Sequence, residues 1–244
     1  MICVYTKAGR NKTHSEDSVL VAKEVVVDSN RTFPCAPDGF VCIADGVGGH
    51  AGGAVASSLV VHSLSELDEK KEIDIRSAVL KINEDLLKKA RSEVSVADMA
   101  TTLTGFLFRG EEVQLFHIGN TRAYVFQGDY IKQLTSDHTV YNYLRSMQRY
   151  EEAEKCNKNE ITNCLGGGNE NYASKLCVMP IPKAKKYMLT SDGIHEYVTL
   201  DYLESVMLQD TSIQDKCAQV VQEALNNGSC DDLSIVIIEF EEET

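Results

Sequence analysis

The sequence lacks the features of a membrane, secreted or nucleic-acid-binding protein. No run approaches the roughly 18 to 20 apolar residues that span a bilayer, and residues 1–7 lack the basic and apolar parts of a signal peptide. Positive charge is scarce: 24 lysines and arginines stand against 37 aspartates and glutamates, which gives a net charge of −13. So acidic a surface argues against binding a nucleic-acid backbone, although a small local basic site remains compatible with it.

The eight cysteines contain no Cys-x-x-Cys pair, and neither a zinc knuckle nor a disulfide framework is indicated. Cys3, Cys42 and Cys217 fall within apolar patterns, which is typical of buried free thiols in a reducing compartment. We therefore expect a cytoplasmic protein, monomeric and without a membrane partner. The 244 residues show neither an internal repeat nor a linker, so we expect one domain over residues 1–244.

Strand patterns outnumber helical ones, and the helices come in pairs. Apolar residues at helical spacing predict helices at 54–67 and 75–90, and again at 200–207 and 213–225. Residues 28–39 carry loop signals. The predicted strands are 2–6, 18–27, 41–45, 101–108, 112–118, 122–127, 130–134, 176–179, 186–190 and 233–240. This order predicts an α+β fold in which two antiparallel sheets pack together and helices cover the outside, an α-β-β-α sandwich.

Acidic residues adjoin three of the apolar strands. Asp45 and Asp192 each end a strand and are followed by glycine, whereas Asp231 and Asp232 precede the last strand. Each Asp-Gly pair by itself is an ordinary turn dipeptide. Gathering all of these acids in one place, however, is unfavourable without a cation between them. Carboxylates and an exposed main-chain carbonyl after Asp45 are the ligands of a hard divalent metal.

The segment 139–169 loses the strand pattern, becomes highly charged and ends in Gly166-Gly167-Gly168. It is either a flap over a site or a solvated helical insertion with no role in the chemistry, and the sequence favours neither.

Seven short motifs occur in a fixed order along nearly the whole chain. They are Ser15-Glu16-Asp17, Asp45-Gly46 with the following Gly-Gly-His, Met99-Ala100-Thr101-Thr102, Gly119-Asn120-Thr121-Arg122, Leu134-Thr135-Ser136-Asp137-His138, Ser191-Asp192-Gly193 and Asp231-Asp232-Leu233-Ser234. This series resembles the metal-dependent protein serine/threonine phosphatases, the type 2C or PPM family, in its compact bacterial form. Each motif alone is weak, but the ordered set is specific.

The resemblance implies an α-β-β-α sandwich with two Mn²⁺ or Mg²⁺ ions between the sheets, and hydrolysis of phosphoserine and phosphothreonine in proteins, commonly opposing a cognate kinase. By the same analogy Asp45 bridges both ions, the Gly46 carbonyl binds one, and Asp192 and Asp231 complete the other. Glu16 and Asp17 orient metal-bound waters. Two metals that activate a water make a covalent nucleophile unnecessary.

The sequence departs from the family at the substrate and third-metal positions. Lys12 stands where the family has an arginine that grips phosphate, and a lysine loses the bidentate fork. A solvated surface lysine is the alternative interpretation. Asn120 replaces an acid that helps to hold a third, weaker metal together with Asp192, so we expect that metal to bind weakly or not at all.

Two further departures concern neighbouring positions. Ser15 and Asp232 both stand where asparagine is usual, and the extra acid either tightens metal binding or faces solvent. Val47 replaces the proposed general acid of animal relatives, so protonation of the leaving group falls to metal-bound water or to another residue. His50 is closest in sequence, although a histidine at a helix start is more often structural. His14, His138 and His195 are further candidates without a ranking, whereas His62 and His117 read as core histidines.

Two other functions compete with an active phosphatase. A degenerate phosphatase fold that binds a phosphoprotein with little turnover is favoured by Lys12 and Asn120. A structural metal-binding module explains the acids but not the other motifs. The complete set Asp45, Gly46, Asp192 and Asp231 favours the enzyme, because keeping unpaired acids in a pure scaffold is unfavourable.

Overall fold

The computed structural model describes residues 1–34, 38–47, 51–68 and 72–240. Its strands form two antiparallel sheets. The six-stranded sheet runs, from edge to edge, β10 (Tyr130–Gln133), β9 (Arg122–Gln127), β13 (Lys186–Thr190), β14 (Leu233–Glu239), β1 (Ile2–Lys7) and β4 (Asn30–Phe33). The eight-stranded sheet runs β11 (Leu165–Gly166), β6 (Ala100–Thr101), β5 (Gly39–Val47), β7 (Leu103–Arg109), β8 (Glu112–Ile118) and β12 (Cys177–Ile181), with β2 (Asp17–Val21) also paired to β5 and β3 (Glu24–Val26) paired to β2.

Helices cover the outer face of each sheet. On the eight-stranded sheet lie α1 (Ala51–Ser65) and α2 (Ile75–Ser92), and on the six-stranded sheet α6 (Leu200–Met207) and α7 (Ile213–Asn226). Side chains cap three of these helices at the N-terminus: Asp74, Thr199 and Ser212 accept hydrogen bonds from the first-turn amides of α2, α6 and α7. The predicted α-β-β-α sandwich is confirmed.

The strand β14 shows why the sheets stack in this order. Val236 and Ile238 point between the two sheets, whereas Ile235 and Ile237 point outward against α6 and α7. Because both faces are covered, the strand is a continuous apolar run rather than an alternating one. Burying each such side chain contributes about 1.5–3 kcal/mol, so the sandwich is held by burial on three apolar layers.

Two predictions about the strands are wrong. The predicted strand 18–27 is two strands, β2 and β3, joined at Ala22, whose φ of 53° turns the chain. The predicted loop 28–39 contains the edge strand β4, which pairs with β1 although its side chains are mostly exposed. Residues 35–37 of that loop lie outside the described residues.

The segment 139–169 contains two short helices, α3 (Val140–Ser146) and α4 (Tyr150–Ala153). It closes, as predicted, at three consecutive glycines with φ of 80°, 66° and 74°. Gly166 pairs with Ala100 at the edge of the eight-stranded sheet, and a Cβ at Gly166 would stand 2.3 Å from the Met99 carbonyl oxygen. Only glycine allows that approach, so the end of the segment is anchored beside β6.

The thiols match the sequence prediction. Cys3, Cys42 and Cys217 are buried and free, and the other four described cysteines are also free. None of the helices in the described ranges combines the length and the apolar character needed to cross a bilayer.

Candidate active site

Asp45 lies at the end of β5, beside the neighbouring strand β2. The two strands pair with Asp17 opposite Asp45. The backbone of Asp45 is held from the other side by β6 and its following residue: Thr101 Oγ1 donates to the Asp45 carbonyl at 2.9 Å, and Thr102 Oγ1 accepts from the Asp45 amide at 3.1 Å. The Thr-Thr motif therefore fixes the strand tip that presents the carboxylate.

Gly46 lies where three chain segments meet. A Cβ at Gly46 would stand 2.4 Å from the Gly53 carbonyl carbon and 2.8 Å from the Glu16 carbonyl oxygen. A Cβ at Gly53 would in turn stand 2.7 Å from Glu16 Oε1. Glycines at both positions let α1 and β2 close on the tip of β5, which brings Glu16 next to Asp45 and Gly46.

The other acids come from the six-stranded sheet. Antiparallel pairing of β13 with β14 sets Thr190 opposite Ile235, so the residues after β13 lie beside those before β14. Ser191 fixes this junction, since its amide donates to the Ser234 carbonyl at 2.9 Å and its hydroxyl accepts from the Ser234 amide at 3.0 Å. A Cβ at Gly193 would stand 2.1 Å from the Asp232 carbonyl oxygen. Asp192 and Asp231 are thereby adjacent.

Acids from both sheets repel one another across the site. Burial, followed by repulsion from Asp17, Asp192 and Asp231, raises the pKa of Asp45 well above its ordinary value. Burial also raises the pKa of Asp17 to about 7. The pKa of Asp192 is raised by burial and by Asp231. Asp45, Asp192 and Asp231 therefore lie within electrostatic range of one another.

Several oxygens in this group accept no hydrogen bond from the described residues. They are Glu16 Oε1, both carboxylate oxygens of Asp17 and Asn120 Oδ1, all buried. Buried carboxylate oxygens without partners are unfavourable unless a cation meets them. All of these possible metal ligands are hard oxygen atoms, which suit Mg²⁺ or Mn²⁺ better than Zn²⁺.

The side chains alone do not enclose an ion. No three carboxylate, imidazole or thiolate groups within 1–34, 38–47, 51–68 and 72–240 are grouped closely enough to do so. A bound ion would therefore need main-chain oxygens and water as further ligands. Mg²⁺ commonly keeps several waters and takes only one or two carboxylates, so the residues present fit an ion of this kind.

Lys12 is exposed, but its ammonium group pairs with three carboxylates. Its Nζ lies 3.1 Å from Glu16 Oε2, 3.1 Å from Asp231 Oδ1 and 3.0 Å from Asp232 Oδ2. Burial opposes the charge, but hydrogen bonds to Asp232 and Glu16 outweigh it and raise the pKa of Lys12. The ammonium group stays charged at the edge of the acidic group.

Asp232 is buried and does not face solvent, contrary to one of the two sequence interpretations. Its Oδ1 accepts from the Gly9 amide at 2.7 Å, and its Oδ2 accepts from the Glu16 amide at 2.7 Å and from Lys12. Ser15 is buried as well, and its hydroxyl accepts from the Asp17 amide at 3.1 Å. Asp232 thus fastens the loop before β2 to the start of β14.

Asn120 contacts Asp192 directly. Its Nδ2 donates to Asp192 Oδ2 at 2.9 Å. Beyond it opens a cavity of about 340 Å³, whose other wall is the segment 139–169. Asn159 Nδ2 in that segment donates to Glu196 Oε2 at 2.7 Å. Segment 139–169 therefore contacts the rim of the site.

The histidines divide into neutral buried rings and exposed ones. Burial and the neighbouring His138 lower the pKa of His117 to about 3, and burial also lowers the pKa of His138 and, strongly, that of His195. At neutral pH these three rings carry no proton to donate as imidazolium. His62 is exposed on α1, so its prediction as a core histidine is wrong, whereas that for His117 is correct.

His14 is also exposed, 3.9 Å from Asp28, and His50 lies outside the described residues.

The sequence indicated the acidic residues of the site but not the residues whose hydrogen bonds position them. The roles of Thr101, Thr102 and Asp232 depend on contacts between segments far apart in the chain. The close pair Gly46 and Gly53 carries a sequence signal, since glycines crowd the stretch after β5.

Comparison with known proteins agrees with this geometry. The family model for protein phosphatase 2C matches residues 11–228, and the chain belongs to this family. Among curated proteins it is similar to the serine/threonine phosphatase stp of Listeria welshimeri, 26% identical over 246 residues that cover 96% of this chain and 93% of that protein.

Solved structures give the same result. The crystal structure of the Mycobacterium tuberculosis serine/threonine phosphatase PstP matches with a TM-score of 0.81 and 25% identity, over 99% of this chain and 100% of that one. A structure of the PstP catalytic domain in complex with two manganese ions matches with a TM-score of 0.79 and 25% identity, over 98% and 97% of the two chains.

Proposed function

We propose that this protein hydrolyses phosphoserine and phosphothreonine in proteins, using two Mn²⁺ or Mg²⁺ ions. The observation that carries the proposal is the group of acids where the two sheets meet: the pKa values of Asp17, Asp45 and Asp192 are raised, and buried oxygens of Glu16 and Asp17 lack partners. Two divalent ions supply a nucleophilic water near neutral pH and offset charge on the phosphoryl oxygens. The names of the similar proteins and the two manganese ions of the PstP structure support the same chemistry.

Four residues are proposed to hold the ions: Asp45 between both, with the Gly46 carbonyl, Asp192 and Asp231. Asp17 and Glu16 act behind them. Their buried, unpaired oxygens are suited to accept hydrogen bonds from water in the site. Asn120 already donates to Asp192 and brings no charge, which supports weak or absent binding of a third ion.

Lys12 is proposed to meet the substrate phosphate. Its ammonium group lies at the edge of the acids, where a phosphoryl group would approach, and its charge is secured by three carboxylates. As a point charge it provides less directed binding than the arginine of the family. We therefore propose a higher KM than in an arginine enzyme.

The wider setting follows from the same proposal. Residues 1–244 act as one monomeric domain in the cytoplasm, which the free state of all seven described cysteines supports. Segment 139–169 acts as a flap, supported by its contact with Glu196. The partners are phosphorylated proteins, among them a Ser/Thr kinase or its targets.

One experiment tests both the proposed phosphatase activity and the alternative, a degenerate phosphatase fold that binds phosphoproteins with little turnover. The protein is incubated with p-nitrophenyl phosphate and with a phosphothreonine peptide, with and without Mn²⁺, and compared with Asp192→Asn. The exposed Asp210 provides the control, since Asp210→Asn removes the same charge far from the site. Turnover that needs Mn²⁺, is lost in Asp192→Asn and persists in the control is expected. A melting temperature raised by Mn²⁺ without turnover would instead establish a binding module.

A further inference from the structure

A cavity of about 670 Å³ adjoins the site on the side away from segment 139–169. The loop from Lys7 to His14 forms one wall and the end of α7, residues 225–229, forms the other. Its charged lining residues are Lys7, Arg10, Lys12, His14 and Asp28. We call this cavity the basic recess, because it gathers three cationic side chains in a protein of net charge −13.

Two of the three cations have no ion-pair partner among the described residues. Lys7 and Arg10 are exposed, and neither side chain forms an ion pair with the residues described. Lys12, by contrast, is committed to Glu16, Asp231 and Asp232. Excess positive charge in the recess therefore comes from Lys7 and Arg10.

The one acid in the recess, Asp28, forms no ion pair with Lys7 or Arg10. Its Oδ1 accepts from the Ala8 amide at 2.8 Å, and its Oδ2 accepts from the Ser15 amide at 3.0 Å. The carboxylate is thus used to shape the loop, and the exposed His14 ring lies 3.9 Å from it.

The recess is continuous with the site through Lys12. Residues 10 and 12 are two positions apart, so their Cα atoms lie at most about 7 Å from each other. An extended peptide advances about 3.3 Å per residue. A peptide whose phosphorylated residue reaches Lys12 therefore brings a side chain about two or three positions away within reach of Arg10, and Lys7 lines the same cavity.

We propose that the basic recess binds a second oxyanion of the substrate, two or three residues from the phosphorylated one. The guanidinium of Arg10 suits a carboxylate or a phosphoryl group through paired hydrogen bonds. This proposal rests on the proposed phosphatase function and makes the enzyme selective for acidic or multiply phosphorylated segments.

The test compares three phosphothreonine peptides of equal length. One has alanine two and three positions from the phosphothreonine on both sides, one has aspartate there, and one has a phosphonate analogue of phosphoserine, which is not hydrolysed. Values of kcat and KM are measured with Mn²⁺. We expect kcat/KM about tenfold higher for the acidic peptides, carried by KM, from one charged hydrogen bond, and a smaller ratio at high salt. Comparison of the aspartate and phosphonate peptides distinguishes the two oxyanions.

Variants locate the effect. Arg10→Ala and Lys7→Ala are expected to bring the ratio of acidic to neutral peptide toward one. Lys132→Ala, an exposed lysine on β10 at an edge of the same sheet as β1, is expected to keep the wild-type ratio. Turnover of all three peptides with equal kcat/KM by the wild-type enzyme overturns the basic recess alone. Absence of any Mn²⁺-dependent turnover overturns the proposed function, and this proposal with it.

Discussion

Replacing Asp232 by asparagine should unfold the protein more easily, although asparagine is the usual residue of the family at this position. The buried carboxylate accepts three hydrogen bonds in this chain, from Gly9, Glu16 and Lys12. An asparagine has one acceptor oxygen, so its NH₂ group must face either the Gly9 amide or the Glu16 amide with Lys12. The side chain keeps two of the three bonds only by turning its NH₂ toward the Gly9 amide.

The magnitude follows from that orientation. The Gly9 amide loses its hydrogen bond to a charged acceptor and stays buried against the NH₂ group of the asparagine, which costs about 1–3 kcal/mol. The two remaining hydrogen bonds, from Glu16 and Lys12, weaken because their acceptor is now neutral. We expect a loss of about 2–4 kcal/mol in the free energy of unfolding, from a total that is usually 5–15 kcal/mol. Gly9 cannot move away freely, because its Cα lies against the Cys230 carbonyl.

Urea unfolding of the metal-free protein at 25 °C measures this loss as a lower midpoint at unchanged slope. Asp210→Asn, an exposed site, is the matched control and should stay within about 0.5 kcal/mol of wild type. Because Asp232 also positions Lys12, the variant should show a higher KM for a phosphopeptide. Equal urea midpoints for Asp232→Asn and the control would refute the assigned role of Asp232.

Three other predictions use different parts of the molecule. The pKa of buried His117 is lowered from 6.5 to about 3. Between these pH values the ring is protonated in the unfolded chain but not in the folded protein, so falling pH favours unfolding. The free energy of unfolding therefore falls by up to about 1.4 kcal/mol per pH unit from about pH 6.5 toward 3. His117→Gln should flatten this decline between pH 7 and 5 in urea unfolding, whereas the exposed His62→Gln should keep it; parallel curves for all three proteins would contradict this. Lys12→Arg should lower KM for a phosphothreonine peptide, since the guanidinium binds phosphate in a bidentate manner, and an unimproved kcat/KM would count against a phosphate-binding role. Asn120→Asp replaces a donor to Asp192 by a further carboxylate, so calorimetry should find an additional weak Mn²⁺ site, and the melting temperature without metal should fall. Unchanged stoichiometry would speak against this account of Asn120.

The order of the elements was predictable because it depends on local patterns. The paired helices, the strand that carries Asp45, the strand that precedes Asp192 and the glycine-closed segment 139–169 all follow from periodicity and turn residues. The prediction failed where a contact between segments far apart in the sequence determines the secondary structure. Edge strand β4 has an exposed, polar sequence and is a strand only because β1 offers it hydrogen bonds.

The candidate metal-binding residues could be recognised before the fold was known, since the chemical type of a side chain and its place next to a strand pattern are local properties. The packed fold was needed to establish that Asp17 lies opposite Asp45, that buried Asp232 accepts a hydrogen bond from Lys12, and that His62 faces solvent. Each of these depends on which strands become neighbours and how closely the loops approach. Burial and proximity, which shift the pKa values and leave oxygens without partners, exist only after the two sheets have packed together.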